Sequence, residues 1–287
     1  MNLRNLPGRF VKKFYSIMVA RELKENITSR PCPLCGNLEF ENIKSGDRYN
    51  LPIVTVKCSC GLIMTNPMPT SEYLQKFYSS NRYRGLYIGS TIVKDLGYDN
   101  AEKKLKSNLD FFQSKGFQDL VPFNLQEATV LDFGSAVGAF LRGFKSVYSN
   151  AKIYGIEPGA HISQVSKNAL DGQFSSISEV PAGLKFNLIT SWHVIEHLWN
   201  PIEDLSRLSQ LLEPNGLLVF EVPDYHRYNS LKNYHIAHLY HFDEKTITNV
   251  LKSSGFEVLQ VTREHLVDPS YGMKVVARRI SQDSQVS

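Results

Sequence analysis

The sequence contains no run of about 20 apolar residues of the kind that spans a bilayer, and its N-terminus lacks a signal-peptide core followed by a small-residue cleavage site. Those absences leave the cytoplasm as the expected compartment. Charge of one sign is scarce as well. The 32 lysines and arginines against 28 aspartates and glutamates leave a net charge of +4, without the dense basic stripe that follows a phosphate backbone. Nucleic acid is therefore not an expected partner. Only four cysteines occur in 287 residues, all between positions 32 and 60, and no histidine precedes His161 to replace one of them as a local ligand. No internal repeat is present, and only the tail from Ser281 has the composition of disordered chain.

The cysteines fall as Cys32-Pro33-Leu34-Cys35-Gly36 and Cys58-Ser59-Cys60-Gly61. In a cytosolic chain such clustering points to metal rather than to disulfides. Two tight turns, each followed by a glycine that lets backbone amides fold toward the sulfurs, can bring Cys32, Cys35, Cys58 and Cys60 around one tetrahedral Zn²⁺. The competing reading is a set of free thiols, because the second pair has a one-residue spacer instead of two. Upstream, Arg9 to Lys24 mixes Phe10, Val11, Phe14, Ile17 and Met18 with Arg9, Lys12, Lys13 and Arg21, the pattern of a basic amphipathic helix. Its apolar stripe either docks on its own domain or touches a membrane surface.

After the cysteines, Asn66-Pro67-Met68-Pro69 interrupts regular structure, and Thr70 or Ser71 can cap a helix through Tyr73, Leu74 and Phe77. Residues 81 to 99 are rich in Tyr and Gly without periodicity and read as a loop or lid, with Tyr83 and Tyr87 either closing a site or packing ordinarily. From Ala101 onward short apolar runs alternate with helical stretches, the signature of βαβ units. Strands are expected at Thr129 to Asp132, Lys152 to Ile156, near Phe174, Leu188 to Trp192, Leu217 to Val222, Glu257 to Thr262 and Lys274 to Arg278. Asn200-Pro201 supplies an N-cap and a first-turn proline for one helix, and Asp243 caps another that stops at Gly255.

In an open parallel sheet, ligands bind beyond the carboxyl ends of the strands, where the first strand turns into the first helix. Asp132-Phe133-Gly134-Ser135-Ala136-Val137-Gly138 occupies that place. Its glycines allow the backbone to approach a ligand, and the next helix aims its N-terminal amides into the cleft. Glu157 ends the second strand 19 residues after Gly138, a distance suited to hydrogen-bonding ribose hydroxyls.

From about residue 100 to 278 the chain resembles the class I S-adenosylmethionine-dependent methyltransferases. It is similar to a bacterial subgroup carrying a ribbon of the form Cys-Pro-x-Cys-Gly, then Cys-Gly and Asn-Pro. The matching blocks are Cys32 to Gly36, Cys60-Gly61, Asn66-Pro67, Val130 to Gly138, Gly155 to Pro158, Ser191 to Leu198, Leu212 to Gly216 and Glu221 to Pro223. The resemblance implies an α/β fold, a Rossmann-like sandwich of seven strands with the last antiparallel, preceded by a small zinc ribbon and helical segments. The boundaries that follow are 1–30 for the basic helix, 31–69 for the ribbon, 70–100 for a linker helix and lid, 101–280 for the methyltransferase domain and 281–287 for a flexible tail.

The same resemblance implies that Asp132 and Gly134 approach the methionine part of S-adenosylmethionine, that Glu157 serves the ribose, that Ser176 or Ile177 meets the adenine, and that Ser135, Ala136, Gly138, Pro158 and Trp192 also line the cofactor site. Ala136 stands where a third glycine is common, and no acidic residue stands beside Ser176. A dehydrogenase is the structural competitor, disfavoured by the proline after Glu157 and by the histidine block.

A sulfonium methyl is already electrophilic, so the remaining tasks are in-line positioning and removal of a proton from a poor nucleophile. Histidine suits the second near neutral pH. His193 follows the fourth strand directly, and at helical spacing His193, Glu196 and His197 share one face. Three readings stay open: a base (His193, or a partner from His235, His238 and His241), a divalent metal at His193, Glu196 and His197 completed by a later histidine, and a packing role. The metal reading resembles small-RNA terminal 2′-O-methyltransferases, whose first glutamate is here His193. The block also spells His-x-x-Glu-His, an inverted zinc-peptidase motif, but it straddles a strand end rather than lying on a long helix. Pro223 and Tyr225 are placed to line an acceptor pocket. The expected acceptor is a hydroxyl of a small molecule or sugar. The alternatives are a metal-assisted RNA 2′-O-methyltransferase and a ribbon-based binding protein with a degenerate catalytic domain. Only Lys44, Arg48 and Lys57 add positive charge between the cysteine pairs, which argues against strong phosphate binding. The sequence does not set the oligomeric state.

Overall fold

The computed structural model describes residues 7–49, 51–89, 98–159, 169–228, 233–263 and 272–280. The chain forms two compact units, one of Met1–Tyr98 with Tyr228–His241 and one of Asp99–Arg227 with Phe242–Ser287. In chain order the smaller unit begins with α1 (Gly8–Leu23), β1 (Ile27–Thr28), β2 (Phe40–Ser45), β3 (Val54–Cys58), β4 (Ile63–Thr65), β5 (Met68–Pro69) and α2 (Ser71–Ser79). The larger unit follows with α3 (Tyr98–Gln113), α4 (Lys115–Gln118), β6 (Thr129–Phe133), α5 (Ala139–Val147), β7 (Lys152–Ile156), β8 (Gly172–Phe174), β9 (Phe186–Trp192), α6 (Pro201–Leu211) and β10 (Leu212–Pro223). The short strand β11 (Tyr240–His241) returns to the smaller unit, and α7 (Glu244–Ser253), β12 (Phe256–Thr262) and β13 (Gly272–Arg279) complete the larger one. Sequence patterning carried the larger domain unbroken from 101 to 280, whereas residues 228–241 group with the smaller unit.

In the smaller unit β11, β4, β3 and β2 form an antiparallel sheet, and β1 pairs with β5. Val11, Tyr15, Val19 and Leu23 recur every four residues, so one stripe of α1 is buried with Phe77, Leu86 and Ile236. Thr70 caps α2 by accepting the backbone N–H of Tyr73 at 3.2 Å. Tyr83 and Tyr87 do not form a lid. Their rings stand 6.0 and 6.3 Å from that of Phe77, edge-on, within the unit's own core, and a helical turn over Arg84–Ile88 holds them there. Gly85 in this turn lies against the ring of Tyr15, and a Cβ would collide with it. Positions 90–97 of the expected lid, and the tail 281–287, lie outside the described residues.

The larger unit is built on one seven-stranded sheet of order β12-β13-β10-β9-β6-β7-β8. The pairs β10/β9, β9/β6, β6/β7 and β7/β8 are parallel, while β13 runs antiparallel to both β10 and β12. All seven expected strands are present. The fifth is longer than its apolar run, starting at Leu212 rather than Leu217, because Leu212 also pairs with Phe186. A core of Phe111, Phe112, Phe117, Phe140, Phe144 and Tyr148 packs with Val130, Ile153, Leu188 and Val219. Each such side chain contributes about 1.5–3 kcal/mol on burial. Asp243 and Thr246 form a reciprocal capping box on α7. Asn200 stands at the N-cap of α6 without capping it: its side-chain amide donates to Glu203 instead, and Pro201 alone sets the helix entry. Among the described residues no helix is long and apolar enough to cross a membrane.

Candidate active site

The chain leaves β6 at the centre of the sheet, passes to β7 and β8 on one side, and resumes with β9 on the other, so the crevice lies beyond the carboxyl end of β6. There Gly134, Ala136 and Gly138 have φ of 83°, 46° and 72°. Glycine adopts these left-handed values freely, and Gly134 is required twice over because a Cβ would strike the side chain of Val194. Ala136 sits in the same region with a Cβ, at a cost of about 1–2 kcal/mol. The turn is pinned to β7 by the amides of Gly134 and Ser135, which donate to the Ile156 carbonyl at 2.9 and 3.0 Å. Gly138 opens α5.

Two carboxylates support the turn. Glu157 accepts the amides of Ala136 at 3.1 Å and Gly159 at 2.8 Å, and burial raises its pKa. Asp132 is buried and accepts the hydroxyl of Thr190 at 2.8 Å. Burial lifts its pKa to about 7, with the nearby charge of Glu157 adding to the effect. Ser135 is buried, its hydroxyl accepting from the Gln173 amide at 3.5 Å. Pro158 and Ser176 are exposed, and Ile177 opens a short 3₁₀ turn in which Glu179 accepts the Ser175 amide at 2.7 Å. The Trp192 ring belongs to the aromatic core, 5.0 Å from Phe140 and 6.2 Å from Phe112.

The histidine block is a turn rather than a helix: His193 takes φ 55° at the end of β9, and only Ile195–His197 is helical, as one 3₁₀ turn. It nevertheless gathers its side chains. Glu196, buried, has one oxygen 3.5 Å from His193 Nδ1 and 3.8 Å from His197 Nε2. His193 Nε2 is 3.0 Å from Glu221 Oε1 and 3.4 Å from Lys104 Nζ. Burial works against a charged ring, yet the bonds to Glu196 and Glu221 outweigh it and raise the His193 pKa to about 8. For Glu221 the penalty of burial is likewise outweighed, here by His193, Lys274 and Lys104, which hold the carboxyl down at about 2.

Sequence reasoning passed over Glu221, Lys104 and Lys274. The signal was a charge inside an apolar strand: Glu221 in β10 faces Lys274 in β13, and buried Lys274 donates to Ser107 at 3.1 Å. Both nitrogens of His193 face carboxylates. Tyr225 donates its amide to Phe242 at 2.8 Å beside Asp224, which is paired with Arg263. His241 lies in the smaller unit, buried, its Nδ1 3.0 Å from the Tyr228 hydroxyl. Burial takes its pKa down to about 3, which keeps the ring neutral.

The four cysteines of the smaller unit converge. Their sulfurs all lie within 4.8 Å of one another, with Cys32 to Cys60 at 3.6 Å and Cys35 to Cys58 at 3.4 Å, and none is in a disulfide. Each knuckle closes on a glycine amide: Gly36 donates to the Cys32 carbonyl and Gly61 to that of Cys58. Four thiolates at the usual Zn–S distance of about 2.3 Å stand about 3.8 Å apart on a tetrahedron, so the donor set fits Zn²⁺. Asn66 braces the approach to the first knuckle, its side chain bonding both the amide and the carbonyl of Arg30.

Residues 102–261 match the family model described as a methyltransferase domain. The fold is shared with magnesium protoporphyrin IX methyltransferase from Synechocystis PCC 6803 with bound S-adenosylmethionine, at 15% identity and a TM-score of 0.51 over 72% of this chain and 96% of that one. The same enzyme with bound S-adenosylhomocysteine aligns at 14% identity and 0.50 over 72% and 99%. Among curated proteins, none is similar enough to count as a relative. With its seven-stranded sheet, its glycine turn after β6 and a family match over more than half its length, the chain belongs to the class I S-adenosylmethionine-dependent methyltransferases.

Proposed function

We propose that the chain methylates a hydroxyl of a small molecule or sugar and that His193 takes up the proton. The observation that carries this reading is the seating of His193 between Glu221 and Glu196, directly before Val194, the residue against which Gly134 packs. That contact sets the base beside the donor turn on one edge of the sheet. S-adenosylmethionine, when bound, supplies an electrophilic methyl group. The chain's own residues do the rest. Asp132 and Glu157 are partly desolvated carboxylates, matched to the ammonium and ribose hydroxyls of such a ligand, and the positive-φ turn between them offers backbone amides.

Glu221 accepts the Nε2–H of His193, which leaves Nδ1 as the basic nitrogen, and Glu196 beside it stabilises the imidazolium once the proton arrives. A base with its pKa near 8 is stronger than a free imidazole yet still ionises within a unit or so of neutrality. Methyl-labelled S-adenosylmethionine supplied with fractionated cell extract tests the reading. Label is expected in a small-molecule or saccharide fraction and not with His193→Ala. Label in RNA, or full activity of the variant, would refute it. In the smaller unit the four cysteines hold a structural Zn²⁺. Elemental analysis should find about one zinc per chain, falling with Cys35→Ser; a metal-free wild-type chain with native circular dichroism would overturn the assignment.

A further inference from the structure

Helix α1 carries two apolar stripes, and the fold uses only one. Val11, Tyr15, Val19 and Leu23 are buried. Among the described residues only four large hydrophobic side chains are exposed, and three of them, Phe10, Phe14 and Ile17, lie on the other side of this helix at 49%, 42% and 55% exposure. Their spacing of four and three residues places them in one row along the axis. The row is continued by Arg21 and Lys24 and flanked by Arg9 and Lys13, all exposed. Arg9 itself stacks over Phe10, 5.0 Å from the ring centroid. Beside the row a shallow groove of about 380 Å³ opens between Phe14, Ile17, Met18, Arg21 and Glu22. Within α1 the one acidic side chain is Glu22, at the edge of this groove. Its charge is already paired with Arg82 at 2.6 Å and it accepts the Tyr73 hydroxyl, while Lys24 and Glu25 follow just beyond the helix end.

A soluble surface has no need of two adjacent phenylalanines and an isoleucine in a row, and four cations around them specify what they meet. A second copy of the chain is disfavoured by that charge, since an isologous contact would bring four cations against four. An anionic lipid surface satisfies both halves of the pattern: the rings and the isoleucine enter the boundary between headgroups and acyl chains while the four basic side chains lie among the headgroups. We propose that α1 is an interfacial helix that seats the smaller unit on an anionic membrane surface. The buried stripe keeps the helix folded before contact, so docking requires no coil-to-helix transition.

Flotation of the full-length protein with vesicles of phosphatidylcholine, and of phosphatidylcholine with about 30% phosphatidylglycerol, tests this. Binding is expected to the anionic vesicles and not to the neutral ones, and to weaken as salt shortens the reach of the charges. Arg21→Gln with Lys24→Gln should weaken it about 25-fold, at roughly fivefold per cation removed. Phe14→Ser with Ile17→Ser should abolish it while leaving zinc content and circular dichroism unchanged, because both side chains are exposed. The proposal fails if anionic vesicles are not bound, if neutral vesicles bind equally, or if the Phe14/Ile17 variant binds as wild type. It fails also if the wild-type chain is a dimer in solution that this variant dissociates, an outcome that would assign the face to a second copy.

Discussion

Asp132 ties the stability of the larger unit to pH through its charge state. Its pKa of about 7, against an ordinary 3.8, means that the folded chain keeps a proton the unfolded chain has already lost. For a carboxyl raised on folding the sign is fixed: stability falls as pH rises from about 4 to about 7 and is then constant, at about 1.4 kcal/mol per unit and about 4 kcal/mol in all. Asp132→Asn keeps the shape and an acceptor for Thr190 Oγ1 but removes the titration. The variant should therefore gain stability over wild type as pH rises, by about 2.5 kcal/mol more at pH 8 than at pH 5, or about 5–10 °C in Tm for a unit of this size. If ionised Asp132 receives the ligand's ammonium as proposed, the same variant should lose most affinity for S-adenosylmethionine. Wild-type affinity should in turn rise about tenfold from pH 6 to pH 8, as the fraction of ionised Asp132 grows. Thermal melts at several pH values, with and without the ligand, and titration calorimetry measure all of this. A variant less stable than wild type at pH 8, or a stability difference that does not change with pH, would refute the reasoning.

Gly134→Ala should cost about 1–3 kcal/mol and cut ligand affinity, because φ of 83° and the Val194 side chain both oppose a Cβ; a melt unchanged within a degree would contradict the close packing of the two loops. Glu221→Gln should lower the His193 pKa from about 8 by about one unit, since one of its two carboxylate partners is removed, and nitrogen-15 NMR of histidine-labelled protein follows it. The slope has the same sign as at Asp132, because both groups hold their proton more tightly in the folded chain, but here the charged form is the stabilised one. A histidine raised on folding stabilises fully below its unfolded value and loses that contribution as pH rises through about 8, so the variant should be less stable than wild type at pH 6 and approach it at pH 9, as chemical denaturation at both pH values would measure.

The strands of the larger unit are readable from the sequence because each is a short apolar run between helical stretches, and the turn after β6 because a strand, a glycine pair and a helix follow in order. The capping residue Asp243 is readable for the same local reason, whereas Asn200 looks like a cap and instead bonds Glu203. What cannot be read is register. His193 meets Glu221 only because parallel β9 and β10 place Trp192 opposite Glu221, and nothing in either segment alone fixes that alignment. The tyrosines 83 and 87 fail for a related reason: an aromatic-rich stretch without periodicity gives no hint that a glycine lies flush against Tyr15 and that the rings turn inward.

The electrostatics of the two halves of the larger unit's site then differ in a way that composition conceals. On the acceptor side, Glu221 is held at about 2 by His193 and the two lysines, so its negative charge is compensated within the fold. Asp132 and Glu157, on the proposed donor side, are both raised by burial, and no cation among the described residues figures in either shift. Each raised carboxyl lowers stability at neutral pH even though Glu157 holds the amides of Ala136 and Gly159 and Asp132 the hydroxyl of Thr190. A ligand that would relieve the pair carries positive charge and hydroxyl donors. A sulfonium nucleoside with a free ammonium group meets that requirement. An uncharged or anionic nucleotide would leave the pair uncompensated, which is why the pH dependence at Asp132 separates those two classes of ligand.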